Sequence, residues 1–208
     1  MVKELFKNWK TVPNLLSFIR ILLVPVFGYL FYTDKLLAAL IVLAVSGLSD
    51  MFDGKIARRF NQVSELGKIL DPIADKATQI TLAVILLLKF RASDNSTIRA
   101  FGLVFLVFLI KEGVMLVGGA VMIALGIKPG AAEIFGKIAT VVFYAVTIVI
   151  FAIGPDVGAL CGYLNGWALP EVVTGILVVI SAIMTLTAFA SYMPETYRQF
   201  KERFSKNK

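Results

Sequence analysis

The sequence contains no histidine and only one cysteine, Cys161. Without histidine, the chain cannot carry out Ser-His-Asp hydrolysis or Cys-His catalysis, and it cannot hold zinc or haem through imidazole. A single thiol cannot form an internal disulfide, so the cysteine count does not indicate a redox compartment. Any catalysis must therefore use carboxylates, lysines, arginines, hydroxyl groups or a metal ion held by oxygen ligands.

Charged residues are also scarce: they make up 17% of the 208 residues, whereas 58% are hydrophobic. Soluble domains are about half apolar and distribute that content in short periodic faces. Here it comes in blocks of about 20 residues, the length at which a helix crosses the hydrocarbon core of a bilayer. The sequence therefore predicts an all-α, polytopic membrane protein.

Six membrane-spanning helices are predicted from these blocks. Their ranges are 13–33, 37–59, 66–89, 99–125, 135–154 and 171–193. Ahead of the first span, residues 1–11 combine Leu5, Phe6 and Trp9 with lysines, which indicates a short amphipathic helix at the membrane interface. No linker is long enough to separate domains, so we expect a single membrane domain over the whole chain, ending in a basic cytoplasmic tail at 194–208.

The basic residues are unevenly placed around these spans, and the net charge is +7. The basic residues on the flanks that would face outward are Lys35, Lys89, Arg91 and Arg99. Most of the others lie on the opposite side, which favours both termini in the cytoplasm. We attribute the basic charge to contact with anionic lipid and expect no nucleic-acid partner. The polar stretch from Ser49 to Lys76 then lies at the cytoplasmic face.

That stretch contains four aspartates at helical spacing. Asp50 and Asp53 are three residues apart at the end of the second span, and Asp71 and Asp75 are four apart at the start of the third. Two antiparallel helices can bring the pairs together, where four carboxylates would repel or take up protons unless a cation neutralised them. Oxygen ligands suit Mg²⁺, Mn²⁺ or Ca²⁺. The alternative is that each aspartate only caps a helix at the interface.

The residues between the acids suggest a phosphorylated ligand. Gly54, Ala57 and Gly67 are small and leave room for a ligand to approach the backbone. Arg58 carries a planar fork of donors suited to phosphate, and Ser64 offers a hydroxyl group nearby. The alternative for Arg58 is a positive charge that only fixes the membrane orientation.

The spacing of these residues resembles the signature of the CDP-alcohol phosphotransferase family. The matching pattern is Asp50-x2-Asp53-Gly54-x2-Ala57-Arg58-x8-Gly67-x3-Asp71-x3-Asp75. The segment TVPNLLSFIR also resembles the start of these enzymes, and six helices agree with their fold. The resemblance implies transfer of the phosphatidyl group of CDP-diacylglycerol to an alcohol with release of CMP, by a protein that forms a homodimer.

The same resemblance implies roles for individual residues. Two Mg²⁺ or Mn²⁺ ions would be held by Asp50, Asp53, Asp71 and Asp75, and Asp75 would also be the general base. CDP-diacylglycerol would be bound by Asn14, Ser17, Gly54, Ala57, Arg58, Ser64 and Gly67.

The acceptor alcohol is less sharply indicated. VPNLLSFIR and DPIADK are most similar to segments of bacterial phosphatidylglycerophosphate synthases, which implies glycerol-3-phosphate. Cations that could hold its phosphate are Lys76, Lys111 and Lys137, since charges inside or beside a span are functional candidates. Those synthases often carry arginine where this chain has Lys111, which keeps open a cardiolipin synthase of the same family that uses phosphatidylglycerol. Lys111 and Glu112 could instead form a structural ion pair.

A transporter of divalent cations is the alternative from another functional class. Such a protein would place acidic residues along a path through the membrane. Here they cluster at one face, and a cation path does not require glycines and an arginine at fixed spacing. A scaffold that binds lipid without releasing CMP is a further alternative, although no position of the pattern is lost.

Overall fold

The structure is a computed structural model. It describes residues 11–59, 64, 66–127 and 134–205, apart from the side chains of 50–58, 68, 203 and 204. The amphipathic helix predicted for the N-terminal segment lies outside the described residues.

The described residues form six α-helices and one short 3-10 helix, without strands. The helices are α1 (Val12–Tyr32), α2 (Leu36–Arg59), α3 (Gly67–Arg91), α4 (Ser96–Ala124), α5 (Ile134–Ile153) and α6 (Glu171–Ser205), with the 3-10 helix Cys161–Leu164 between α5 and α6. They follow the order of the six predicted spans, which confirms the all-helical fold.

Four of the described helices are long and apolar enough to cross a membrane: α1, α4, α5 and the part Glu171–Glu202 of α6. The apolar part of α2 is shorter, Leu36–Ser49. The end of α2 and the start of α3 are where the four aspartates lie, and their charge lowers the hydropathy there. The chain is therefore an integral membrane protein.

A tight connection joins α1 to α2. The backbone amide of Asp34 donates to the carbonyl oxygen of Phe31 (3.2 Å), and that of Lys35 donates to Leu30 (2.9 Å). Asp34 has a φ of 53°, in the left-handed region that closes many helix ends and that aspartate tolerates. With so short a turn, the two helices lie antiparallel and pack along each other.

The chain divides into two compact units. The first consists of Met1–Ile85, Phe151–Ile153 and Val157–Ala168, and the second of Leu86–Ile150, Gly154–Asp156 and Leu169–Lys208. In the first unit, the ring of Phe151 meets Phe27 and Phe31 edge to face, with centroids 5.5 and 4.8 Å apart.

In the second unit, α4 packs against α6. Gly175 of α6 lies so close to the ring of Phe101 that a β-carbon would overlap it. The rings of Phe108 and Phe143 stack with their centroids 4.2 Å apart. The absence of a side chain at Gly175 lets α6 approach the Phe101 ring of α4 closely.

Helix α6 is longer than its predicted span, which ended at residue 193. It continues through Pro194 to Ser205. Glu195 contacts Arg198 at 3.0 Å, and Arg198 lies 3.8 Å from Glu202. Such pairs, three and four residues apart, stabilise exposed helix. The helix thus continues beyond the predicted span into an exposed, charged segment.

Candidate active site

One face of α1 is polar and buried. Asn14, Ser17 and Arg20 recur every third residue and are 5%, 2% and 2% exposed. Polar groups inside an apolar bundle need partners within the protein. Ser17 satisfies its hydroxyl locally by donating to the carbonyl oxygen of Pro13 (3.1 Å). The other two side chains reach residues near the acidic pattern.

Asn14 is connected to the start of α3 through Ser64. The hydroxyl of Ser64 donates to Asn14 Oδ1 (2.9 Å) and accepts from the backbone amide of Gly67 (2.9 Å). Gly67 is the first residue of α3, so the side chain of Ser64 satisfies one of the free amides at the start of that helix. Asn14 and Ser64, two of the residues predicted from the resemblance to bind CDP-diacylglycerol, thus lie together and tie the first turn of α1 to the first turn of α3.

Gly67 lies directly against this pair. A β-carbon built on Gly67 would collide with Asn14 Oδ1 and lie 3.1 Å from the hydroxyl oxygen of Ser64. A residue larger than glycine would therefore have to displace the Asn14 amide or the Ser64 hydroxyl. This packing accounts for one glycine of the pattern, whereas its predicted contact with the nucleotide stays a prediction.

Asp71 forms an ion pair with α1. Nη1 of Arg20 lies 3.2 Å from Asp71 Oδ1, and the two side chains are 2% and 51% exposed. A guanidinium group that is buried in a bundle needs an anionic partner, which Asp71 supplies. The arginine thus holds the carboxylate from the protein interior, while half of the carboxylate's surface stays open.

Sequence reasoning did not select Arg20. A signal was present, because Arg20 continues the three-residue spacing of Asn14 and Ser17 in an otherwise apolar segment. Its partner Asp71, 51 residues away, is visible only once the helices are packed.

Asp75 has a buried amide beside it. Nε2 of Gln79 donates to Asp75 Oδ2 (3.2 Å), and Nζ of Lys76 donates to Gln79 Oε1 (3.3 Å). Gln79 is 2% exposed, whereas Asp75 and Lys76 are partly exposed. Lys76, predicted to contact the acceptor, is thus linked to the predicted base by a glutamine that sequence reasoning did not select.

Asp71 and Asp75 lie one turn apart at the start of α3, as their spacing predicts. The side chains predicted to complete the site from α2 lie outside the described set: Asp50, Asp53, Gly54, Ala57 and Arg58. Among the side chains that are described, no three acidic, histidine or cysteine groups converge. The convergence of all four aspartates therefore stays a prediction.

The other two candidate lysines belong to the second unit. Nζ of Lys111 is bonded to Glu112, which is 1% exposed, and lies 5.4 Å from the centre of the Phe108 ring. These contacts are those of an ion pair built into the bundle. Lys137 is exposed in the first turn of α5. Contact of either lysine with the acceptor stays a prediction.

Comparison with known proteins adds a family and several relatives. The family model described as CDP-alcohol phosphatidyltransferase matches residues 10–187. The CMP-forming cardiolipin synthase of Streptomyces coelicolor is 36% identical over 165 residues, which cover 76% of this chain and 73% of that protein. The CDP-diacylglycerol–glycerol-3-phosphate 3-phosphatidyltransferase of Aquifex aeolicus is 30% identical over 192 residues, covering 92% of this chain and 99% of that protein.

A third relative matches a shorter segment with higher sequence identity. The CMP-forming cardiolipin synthase of Homo sapiens is 52% identical over 74 residues, which cover 35% of this chain and 25% of that protein. The family model itself includes every candidate site residue from Asn14 to Lys137.

Proposed function

We propose, because this chain belongs to the CDP-alcohol phosphatidyltransferase family, that it transfers the phosphatidyl group of CDP-diacylglycerol to an alcohol and releases CMP. The observation that carries the proposal is the family match over residues 10–187, which includes the complete acidic pattern. The packing of Asp71 and Asp75 in adjacent turns of α3, each beside a buried polar side chain, supports it.

For the acceptor we propose glycerol-3-phosphate, which would give phosphatidylglycerophosphate. The relative from Aquifex aeolicus, whose name states this acceptor, aligns with 92% of this chain and 99% of its own length. Lys76, Lys111 and Lys137 are the residues proposed to contact the acceptor phosphate.

Phosphatidylglycerol is the second candidate acceptor, and it would give cardiolipin. Two observations favour it: the higher identity to the Streptomyces coelicolor cardiolipin synthase, 36%, and the 52% identity to the human enzyme over 74 residues. The lysine at position 111 agrees with this candidate, because lysine presents a point charge rather than the planar fork that suits a phosphate monoester.

Enzymes of this family generally depend on divalent cations, and the acidic residues described here are compatible with that requirement. Asp71 and Asp75 offer only oxygen ligands, one helical turn apart, which suits Mg²⁺ or Mn²⁺. We propose that they hold two ions together with Asp50 and Asp53. When bound, such ions would neutralise charge on the diphosphate oxygens.

In the proposed reaction, the carboxylate of Asp75 takes the proton of the acceptor hydroxyl. The acceptor oxygen forms a bond to the phosphorus of the phosphatidyl group, and the bond from that phosphorus to the CMP oxygen breaks. CMP leaves with the bonding electrons. The hydrogen bond between Asn14 and Ser64 supports a role for both in shaping the nucleotide site. Ser17, three residues after Asn14 on the same buried face of α1, is proposed to assist them.

Orientation and assembly belong to the same proposal. The distribution of basic residues supports an active site and both termini on the cytoplasmic side of a bacterial plasma membrane. This side suits the chemistry, because the lipid substrate stays in the bilayer while CMP is soluble in water. We propose a homodimer as the assembly.

The test is CMP release by the purified protein with CDP-diacylglycerol and Mg²⁺ or Mn²⁺, using each alcohol separately. We expect release with glycerol-3-phosphate, abolished by Asp75→Asn and retained in Asp94→Asn, a matched change at an exposed aspartate between α3 and α4. Release with phosphatidylglycerol alone would transfer the proposal to cardiolipin synthesis. A folded protein that releases no CMP with any alcohol would contradict the enzyme function.

A further inference from the structure

Gln79 is an unusual residue for its position in α3. It is 2% exposed, and its neighbours in the core include Leu82 and Ala83, both 0% exposed. Burying a carboxamide is unfavourable unless both of its ends are hydrogen-bonded, and an aliphatic side chain would fill the same space without that requirement. Packing alone therefore does not explain a glutamine here.

The contacts of Gln79 allow only one orientation of its amide. The ammonium group of Lys76 can only donate, so Oε1 must face Lys76. The ionised carboxylate of Asp75 can only accept, so Nε2 must face Asp75. Rotating the amide by half a turn would set oxygen against the carboxylate and NH₂ against the ammonium. The two charged neighbours thus fix the amide, and the amide in turn fixes the carboxylate.

We propose that Gln79 is a positioning residue that holds the carboxylate of Asp75 in its working orientation and links it to Lys76. The proposal rests on the proposed function, in which Asp75 is the base and a metal ligand. A base must meet its proton within hydrogen-bonding distance, and a displacement of about 1 Å can lower a rate about 10²-fold. Mutation of a residue that hydrogen-bonds to a metal ligand and orients it typically lowers metal affinity or activity by about 10–100-fold.

The test compares Gln79→Met and Gln79→Glu with wild type. Methionine keeps the length of the side chain but loses both hydrogen bonds, whereas glutamate keeps an acceptor for Lys76 and loses the donor to Asp75. We expect kcat to fall at least about tenfold in both variants, with the KM for CDP-diacylglycerol within about twofold. The matched control is Thr78→Val, because Thr78 is also buried, at 7% exposed, and its hydroxyl donates to Ala74 O (2.9 Å) in its own helix.

A second readout does not depend on turnover. Binding of Mn²⁺ to the purified full chain, measured by electron paramagnetic resonance, should weaken by about tenfold in Gln79→Met and stay unchanged in Thr78→Val. In an Asp75→Asn background, Gln79→Met should cause no further weakening, because the carboxylate that it positions has lost its charge.

These measurements separate the two proposals. If wild type binds Mn²⁺ but releases no CMP, the proposed function fails, while weaker Mn²⁺ binding in Gln79→Met still supports the positioning role. Unchanged kcat and Mn²⁺ affinity in both Gln79 variants would overturn the role. The role would also be overturned if Gln79→Met weakened Mn²⁺ binding as much in the Asp75→Asn background as in wild type. The loss of affinity would then come from altered packing and not from the orientation of Asp75.

Discussion

Gly67→Ala provides a direct test of the connection between α1 and α3. The added β-carbon would collide with Asn14 Oδ1 and lie 3.1 Å from the hydroxyl oxygen of Ser64. Both atoms belong to short side chains that are held by hydrogen bonds, so relief requires breaking the Asn14–Ser64 bond or shifting a helix. Overpacking of this kind costs about 1–3 kcal/mol. We therefore expect the free energy of unfolding, measured by SDS titration of the purified protein, to fall by about that amount.

The matched control is Gly47→Ala in α2. A β-carbon on Gly47 meets nothing within 4 Å, so only the higher helix propensity of alanine acts there. That change should leave the stability unaltered or raise it by up to about 1 kcal/mol. The difference between two Gly-to-Ala changes in one unit then measures the collision, separately from any general effect of the substitution.

A double-mutant cycle with Asn14→Ala identifies the obstacle. Once Asn14 is shortened, its oxygen no longer meets the new β-carbon, so Gly67→Ala should cost less in that background than in wild type. Residues in direct contact typically couple by about 0.5–3 kcal/mol, and independent sites add within about 0.3–0.5 kcal/mol. Additive costs would refute the close-approach explanation. A Gly67→Ala protein as stable as wild type, with a raised KM for CDP-diacylglycerol, would instead leave nucleotide contact as the reason for the glycine.

Three further predictions concern contacts in the two units. Arg20→Met should weaken both Mn²⁺ binding and CMP release by about tenfold or more, and Arg20→Lys should weaken them less, since lysine keeps the charge without the fork. Lys111→Met should lower the free energy of unfolding by about 3 kcal/mol because Glu112 stays buried, and adding Glu112→Gln should restore part of that loss in the same SDS titration. Gly175→Ala should destabilise by about 1–3 kcal/mol, whereas Gly118→Ala, with open space around it, should not.

The helices could be predicted from hydropathy because each contains an apolar block, which in α1, α4, α5 and α6 is long enough to match the bilayer. The predicted spans begin within three residues of the described helices, and all but the last end as closely. The exception, α6, shows the limit of the method. Hydropathy detects where an apolar block ends, whereas the helix continues past Pro194 through a charged segment that includes the pair of Glu195 with Arg198.

The site could be predicted only in part, for a related reason. Spacing along the chain identifies carboxylates that share a helix face, such as Asp71 and Asp75, because that geometry is local. It does not reveal which interior side chain meets each of them. Arg20 approaches Asp71 from another helix, and a single glutamine within an apolar run has no recognisable pattern. The ion pair of Lys111 and Glu112 could be considered as an alternative to acceptor binding because the two residues are adjacent in the sequence.

The pairing of Arg20 with Asp71 has a consequence for how the protein is made. The ribosome completes α1 and its short turn into α2 before it reaches Asp71, which lies 51 residues after Arg20. At about 5–20 residues per second, some 3–10 s pass before the partner exists. During that interval Arg20 lacks this carboxylate, and an arginine near the middle of a span costs up to about 2.5–3.5 kcal/mol to place in lipid. The arrival of α3 then relieves that cost, so synthesis order favours docking of α3 onto the hairpin already in the membrane.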